Sequence, residues 1–465
     1  MNVQTLRNKK ILVLGLGKEG VDTLTFLRKL FPKKTVALAD KLSLEKLNKQ
    51  AQEKIQKEKN LKLYLGKNYL KDVLRFDVII KSPGVSPFLP QLLWAKKEEK
   101  TITSLTKIFF ENCPGKIIGI TGTKGKSTTT VLIYQVLKKG GLKAHLVGNI
   151  GKPPLNLLFE AQKDDIFVYE LSSHQLLDLT KSPHIAILLN IFPEHGDYYQ
   201  SFAQYTKAKE NITRYQTGND YLIFNQESET VKKIAKESKA KKIPFSLTEK
   251  LCPGCFVKNK EIVYCSDTGE ERIIRTNVVP LKGKFNLQNV MPAVIVGKLL
   301  NIPTKKIAQA IQKFKPLKHR LEKVGTFKGI TFYNDSLSTI PQTAIEAIDA
   351  FEEKVQTIIL GGFERDQDFK NLARKIWESE IKTVILFPTT GERIWKDILE
   401  ERPQKCSLPK HLFTQDMKKA VTFAYQNTSK GKICLLSPAS PSFNLFKDYK
   451  ERGNLFKRYV KKLGR

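Results

Sequence analysis

The chain has 465 residues, 41% of them hydrophobic, which suits an ordinary globular protein of two to four domains. Its 80 Lys and Arg against 46 Asp and Glu give a formal charge of +34, yet the lysines are dispersed, with no long basic tail and no aromatic-basic repeat. That distribution counts against a nucleic-acid binder and suits a solvated surface or an attraction for small anionic substrates.

No uncharged apolar run approaches the length of a membrane span, and six cysteines are too sparse for a disulfide framework. Both features point to a reducing compartment, the cytoplasm. Along the first 112 residues, "KILVLGLG", "TVALAD" and "FDVIIKSPG" are strand candidates separated by helical stretches, a small α/β unit. Gly15, Gly17 and Gly20 form G-x-G-x-x-G, and Asp40 ends the next strand. This places a nucleotide's phosphates at a helix N-terminus and Asp40 on a ribose or base, a nicotinamide cofactor being one reading among several.

From about 113 to 315 a second segment opens with "GITGTKGKSTTT" at 119–130. Gly122 and Gly125 let backbone N–H groups close on phosphate oxygens, Lys126 neutralises them, and Ser127 supplies a hydroxyl for Mg²⁺. The spacing departs from the general G-x-x-x-x-G-K-[ST]: the position five before Gly125 is Ile120, with the glycine one earlier at Gly119. Strands "AHLVGN", "IFVYELSS", "IAILLNI" and "DYLIFN" follow, suggesting a doubly wound sheet. Ligands sit outside the carboxyl ends of such strands, where this segment carries Asn149, Glu170, Ser172, Asn190, Glu194 and His195. A carboxylate and a histidine beside a P-loop suit Mg²⁺, with Glu170 as ligand rather than helix-capping acid. His195 alone would serve as well as a structural hydrogen-bonder, and Lys209 is one more lysine in a lysine-rich helix. Cys252 and Cys255, with Cys265 nearby, either begin a zinc site lacking its fourth ligand or mark a hairpin turn carrying two thiols. From about 316 onward the α/β rhythm returns in "GITFYND", "QTIILGG", "KTVILFP" and "ICLLSP".

The variant loop, "GNIG" at 148–151, "ELSSHQL" at 170–176, "LNIFPEHGD" at 189–197 and "HRLE" at 319–322 together resemble the Mur ligase family, which builds the peptide stem of cell-wall precursors. "GLGKEG", "SPGV" at 82–85, "YNDS" at 333–336, "LLSPASPSF" at 435–443 and "ERGNLF" at 451–456 narrow the resemblance to the branch that adds glutamate to UDP-N-acetylmuramoyl-L-alanine. The implied fold is α/β in three domains. An N-terminal Rossmann-like UDP-binding domain would span 1–112, a central doubly wound P-loop ATPase domain 113–315, and a C-terminal Rossmann-like amino-acid-binding domain 316–465.

The resemblance implies that ATP phosphorylates the muramoyl-alanine carboxylate and that the glutamate amine attacks the acyl phosphate. Gly122, Thr123, Lys124, Gly125, Lys126, Ser127 and Thr128 would hold the ATP phosphates, Asn286 and Asn289 the adenine, and Arg320 and Asp335 would reach ATP from the third domain. Ser127 and Glu170 would bind one Mg²⁺ and His195 with Lys209 a second, Lys209 as N6-carboxylysine. Gly15, Gly17, Lys18, Glu19, Gly20, Asp40, Lys41, Ser82, Pro83 and Gly84 would hold UDP, and Asn149, Ser172 and Gln175 the muramoyl-alanine end. Arg365, Thr339, Ser442, Phe443 and Tyr449 would bind glutamate, after closure of the third domain on the second.

Two departures bear on the amino acid. Leu337 stands where the D-glutamate branch carries lysine in "NDSK", and Arg365 replaces the lysine of "GG-x-D-K-G". "DSLSTIP" is similar to a "DS-x-ST-x-P" branch that adds L-glutamate. A monomer with only small-molecule partners is expected. The "DNPR" of the diaminopimelate- or lysine-adding enzymes is absent, and folate-polyglutamate ligases would lack the first domain. A nicotinamide oxidoreductase leaves the P-loop idle. A basic nucleic-acid-binding ATPase leaves "ELSSHQL" and "HRLE" unexplained, and a non-enzymatic scaffold leaves Lys126, Glu170, His195 and Lys209 without purpose.

Overall fold

The structure, a computed structural model, describes residues 2–194, 198–404 and 406–465, the side chain of Glu352 excepted. The apolar runs at the head of each α/β repeat form strands buried on both faces, as parallel sheets covered by helices require. Strands β1 (Ile11–Leu14), β2 (Val36–Asp40), β3 (Leu61–Leu65), β4 (Val78–Lys81) and β5 (Thr101–Ser104) form an all-parallel sheet in the order β3-β2-β1-β4-β5.

The second sheet contains β6 (Lys116–Thr121), β7 (Ala144–Gly148), β8 (Ile166–Glu170), β9 (Ile185–Leu188), β10 (Tyr221–Asn225), β11 (Lys241–Ser246), β12 (Gly254–Lys258), β13 (Glu261–Ser266) and β14 (Gly269–Arg275). Its order is β14-β13-β12-β11-β10-β9-β6-β8-β7, parallel from β7 to β12 and antiparallel through β13 and β14. The third sheet contains β15 (Glu322–Phe327), β16 (Ile330–Asn334), β17 (Val355–Gly361), β18 (Thr383–Phe387), β19 (Lys410–Phe413) and β20 (Ile433–Leu436), ordered β15-β16-β20-β17-β18-β19. Only its β15–β16 pair is antiparallel.

By compactness the chain divides into two units: Met1–Thr276 with Gln288–Ile311, and Asn277–Leu287 with Gln312–Arg465. The first unit holds two sheets over one continuous apolar core. Leu24 and Leu27 of the helix Lys18–Leu30, Phe109 and Phe110 of the helix Leu105–Asn112, and Phe167 and Tyr169 of β8 belong to the same cluster. Phe109 meets Phe167 edge-on with ring centroids 5.2 Å apart. Each such side chain contributes about 1.5–3 kcal/mol by burial.

Polar contacts join the same two layers. Gln175 Nε2 donates to Glu19 Oε1 at 2.7 Å, Asn156 Nδ2 to Asp22 Oδ1 at 2.6 Å, and Lys81 Nζ pairs with Asp178 at 2.6 Å. In the second unit helices cover both faces of the third sheet, and the fully buried Arg452 ties its loops together. Its guanidinium donates to Ser336 Oγ and O, to Ser440 O and to Pro441 O, all within 3.3 Å.

The cysteines correct the expectation of a chain without disulfides. Cys252 and Cys265 are bonded to each other, and Cys255 is a buried thiol. The register explains the pairing: Gly254 lies opposite Cys265, so the chain just before β12 brings Cys252 to a Cα separation of 5.0 Å. Two of the three sulfurs are thereby removed from the zinc reading. Among the described residues no group of three His, Cys, Asp or Glu could hold a metal ion, and no helix is long and apolar enough to cross a membrane.

Two outcomes follow from this arrangement. Burial pushes the Glu19 carboxyl from 4.5 up to about 7 and that of Asp22 up to about 6. An acid whose folded pKa lies above its unfolded value stabilises the fold below the unfolded pKa, and that contribution is lost as pH rises through the folded one. Glu19→Gln should therefore melt close to the parent at pH 4 and above it at pH 8, the gap opening between about pH 4.5 and 7. Arg452→Leu strands several buried carbonyls, so chemical denaturation should show its unit weakened by about 3 kcal/mol, with Arg452→Lys recovering only part.

Candidate active site

In each sheet the strand order reverses beside one strand, and the loops that leave there diverge and open a crevice. The first crevice lies between β1 and β4. Gly15 N donates to Ala39 O at 2.8 Å, and Ser82 Oγ donates to Gly15 O at 2.7 Å, so the G-x-G-x-x-G turn and the "SPG" turn are held together. Asp40 spends its carboxylate on backbone, accepting from Leu16 N at 2.6 Å and Leu42 N at 2.9 Å. Lys18 and Lys41 are exposed beside these turns.

The second crevice follows β6. Gly119 belongs to the strand, where an added Cβ would lie 2.7 Å from Pro183 Cγ. The loop proper therefore runs from Thr121 to Gly125, which accounts for its departure from the general spacing. Gly125 has φ +87°, and a Cβ there would strike Asn289 Oδ1 at 2.1 Å, so only glycine can start the helix Lys126–Gly140 against Asn289. Asn190 pins the loop from β9: it accepts from Lys124 N at 2.8 Å and Thr123 N at 2.7 Å. Lys124 Nζ pairs with Glu194 at 2.8 Å, and Thr123 Oγ1 lies 3.0 Å from the Tyr205 hydroxyl. Ser127 and Thr128 are buried in the first turn of the helix.

Two lysine side-chain nitrogens converge on one oxygen in this loop. Lys126 Nζ donates to Gly122 O at 2.9 Å and Thr123 O at 2.8 Å, while Lys209 Nζ donates to Gly122 O at 2.9 Å and Thr121 Oγ1 at 3.3 Å. Lys209 is buried on the helix Phe202–Arg214 over the Tyr205 ring. Burial, and secondly the charge of Lys126, hold its pKa well below the usual lysine range. Glu170, the last residue of β8, is buried beside β6, and its Oε2 has no hydrogen-bond partner among the described residues. Asn149 is exposed next to Glu170, its N–H directed at Glu170 O at 3.4 Å. Ser172 and Gln175 form a capping box on the following short helix, which orients the Gln175 amide toward Glu19. His195 lies outside the described residues. Thus Lys126, Lys209, Glu170, Ser127, Thr128 and Asn289 share one crevice, and Glu19, Gln175 and Ser82 border the other.

In the second unit Asp335 follows β16 and is buried. It accepts from Leu321 N at 3.1 Å and Ser437 Oγ at 2.9 Å, and burial pushes its carboxyl up to about 7. Arg320 follows the left-handed His319, φ +64°. Ser442, Phe443 and Arg365 border the crevice between β17 and β20, with the Arg365 guanidinium 5.8 Å from the centroid of the Phe443 ring. Tyr449 O accepts from Ser336 Oγ at 2.8 Å, while Thr339 O accepts from Gln367 Nε2 at 3.0 Å. Asn286 belongs to this unit too, its Nδ2 donating to Lys282 O at 2.5 Å. Asn190, Tyr205 and Arg452 hold these crevices in shape. Asn190 was visible as a polar residue at a strand end, whereas Tyr205 and Arg452 act through contacts 82 and 116 residues away in sequence.

Residues 9–104 match the N-terminal domain of MurD-like Mur ligases, 120–297 the Mur ligase middle domain, and 319–440 the Mur ligase glutamate ligase domain. The chain is 34% identical over 459 residues to the UDP-N-acetylmuramoylalanine–D-glutamate ligase of Acetivibrio thermocellus, covering 98% of this chain and 97% of the relative. It is 35% identical over 462 residues to the protein of that name in Clostridium kluyveri, with the same coverages. Among solved structures it shares the fold of a MurF ligase from Thermotoga maritima in complex with ADP, with TM-score 0.57 and 15% identity over 100% of this chain and 97% of that one. With three family domains in order and full-length relatives above 30% identity, the chain belongs to the Mur ligase family.

Proposed function

We propose that this chain is the ATP-dependent ligase that joins D-glutamate to UDP-N-acetylmuramoyl-L-alanine in peptidoglycan synthesis. The observation that carries the reading is the full-length identity to relatives named for that reaction. Residues 1–112, 113–315 and 316–465 would serve UDP, ATP and the amino acid respectively. The enzyme would act as a cytoplasmic monomer with small-molecule partners alone.

ATP transfers its γ-phosphoryl group to the alanine carboxylate, and the glutamate amine then displaces phosphate from the acyl phosphate. Lys126 leaves its two carbonyl partners to meet the transferring phosphoryl charge, while the amides of the 121–125 loop close on the other phosphate oxygens. Asn286 and Asn289 hold adenine, and Arg320 and Asp335 contact ATP. The turns at Gly15–Gly20 and Ser82–Gly84, with Asp40 and Lys41, take UDP. Asn149, Ser172 and Gln175 orient the muramoyl end, and Arg365, Thr339, Ser442, Phe443 and Tyr449 the glutamate.

Mg²⁺ would be held by Ser127 and Glu170, and a second ion by His195 and Lys209; the buried, unpartnered Glu170 Oε2 fits that use. When bound, the ions neutralise phosphate charge. A lysine whose charge is disfavoured by burial and by Lys126 also fits carbamylation: its amine, once deprotonated, adds to CO₂ and releases a proton, leaving an anionic oxygen ligand. A second reading, addition of L-glutamate, is favoured by "DSLSTIP", Leu337 and Arg365.

Purified protein with ATP, Mg²⁺ and UDP-N-acetylmuramoyl-L-alanine should release phosphate with D-glutamate and yield a product heavier by one glutamyl residue. Turnover with L-glutamate alone would move it to the second reading, and turnover with neither would refute both. Incubation with ¹³C-bicarbonate should give a carbamate carbon resonance that Lys209→Arg abolishes, with kcat falling about 10²-fold or more. A resonance unchanged in that variant would exclude carbamylation at Lys209.

A further inference from the structure

Arg365 sits in the turn after β17, in the sequence Gly361-Gly362-Phe363-Glu364-Arg365-Asp366-Gln367. A single carboxylate oxygen organises that turn. Glu364 Oε1 accepts from Arg365 N at 2.9 Å and Asp366 N at 2.7 Å, and it pairs with Arg393 at 2.6 Å. Arg393, on the first turns of the helix Thr390–Glu400, uses its other terminal nitrogen to donate to Gln367 O at 2.8 Å, with its guanidinium 5.6 Å from the Phe369 ring centroid. Gln367 extends the brace: its Nε2 donates to Thr339 O, while its Oε1 is buried without a hydrogen-bond partner among the described residues. On the far side the turn is sewn to the Phe443 segment by Phe363 N to Pro441 O at 2.8 Å. The helix start is sewn to Gly362 by Thr389 N at 2.7 Å and Thr390 N at 3.0 Å. Arg393 thus braces the 364–367 turn that carries Arg365, and the chain on either side of its contacts is hydrogen-bonded in turn to the segments of Thr339, through the Gln367 amide, and of Phe443, through Phe363 N.

We propose that Arg393 is a positioning residue for the incoming amino acid, acting through Glu364 and Gln367 to hold the Arg365 turn in register with the Thr339 and Phe443 segments. The inference rests on the reading of those three residues as amino-acid-binding. Arg393 itself need not touch substrate. A part-exposed ion pair adds little to stability, so the effect belongs in substrate affinity: a forked guanidinium defines the direction of the turn, and a shift of about 1 Å in a carboxylate-binding side chain changes rates by up to about 10²-fold.

The experiment is steady-state kinetics on the full chain, varying glutamate, ATP and UDP-N-acetylmuramoyl-L-alanine in turn, for wild type, Arg393→Met, Arg393→Lys, Glu364→Gln and Arg374→Met. The last breaks the Arg374–Glu401 pair of the same unit, which is equally well formed at 2.7 Å and lies outside the brace. Arg393→Met and Glu364→Gln should raise KM for glutamate about tenfold, with the other two KM values within about twofold and the melting temperature unchanged. Arg393→Lys should recover part of the loss, since it keeps the charge facing Glu364 but not the fork to Gln367 O. An unchanged glutamate KM, an equal rise in all three KM values, or an equal rise in Arg374→Met overturns the proposal. Should Arg393→Met fail to fold, Glu364→Gln, which removes only a charge, decides by the same criteria. Wild type that turns over glutamate beside unaffected brace variants overturns this inference alone; wild type with no glutamate turnover overturns the functional reading and the inference together.

Discussion

A parallel strand ends where its chain must turn away into a helix, and a pair of neighbouring strands whose chains turn away to opposite faces leaves a gap that backbone cannot fill. This constraint organises each of the three sheets. The gap opens between β1 and β4 in the first, around β6 in the second, and between β17 and β20 in the third. The polar residues that a folded chain would otherwise keep at its surface are buried at these gaps: Glu170, Lys209, Asp335 and Arg452 are all nearly inaccessible to solvent. Buried charge is tolerated only where it is paired, neutralised or reserved for something that arrives later, and each of the four meets that condition differently.

Arg452 is satisfied by carbonyls, and Asp335 by an amide and a hydroxyl. Lys209 and Glu170 are less well matched. The lysine shares the Gly122 carbonyl with Lys126, its other partner being the Thr121 hydroxyl, and Glu170 Oε2 has no hydrogen-bond partner among the described residues. The loop between them is pinned by Asn190, which accepts from Thr123 N and Lys124 N and donates to Lys124 O. An arrangement that is poor for an empty protein is a good one for phosphates and cations together.

The strands most easily read in the sequence were those buried on both faces, such as "ILVL", "VIIK" and "IIGIT", because an uninterrupted apolar run has few other uses. Strands β3, β5, β15 and β19 escaped notice, as did β11 to β14. The first four lie at sheet edges, carry Lys, Thr or Glu on open faces, and owe their conformation to one neighbour rather than to their own pattern, while in β11 to β14 Lys, Pro and Glu keep the apolar runs short. The P-loop was legible because its chemistry is local. Lys209 was not legible from spacing, since its burial is a property of the folded unit, and the family resemblance alone singled it out. The same limit hid the Arg393 and Arg452 braces and the pairing of Cys252 with Cys265, which hairpin register decides.

The antiparallel extension of the second sheet matters for more than its disulfide. Without β12 to β14, the long parallel stack would end in the bare edge of β11, whose amides and carbonyls could template a foreign strand. With them it ends in Gly-Glu-Glu-Arg-Ile-Ile-Arg, a strand with four charged side chains, exposed along most of its length. Another chain that paired there would have to bring its own backbone against Glu270, Glu271, Arg272 and Arg275. The hairpin therefore acts as a selvedge, finishing one edge of the nine-stranded sheet with charge that disfavours pairing by a foreign strand.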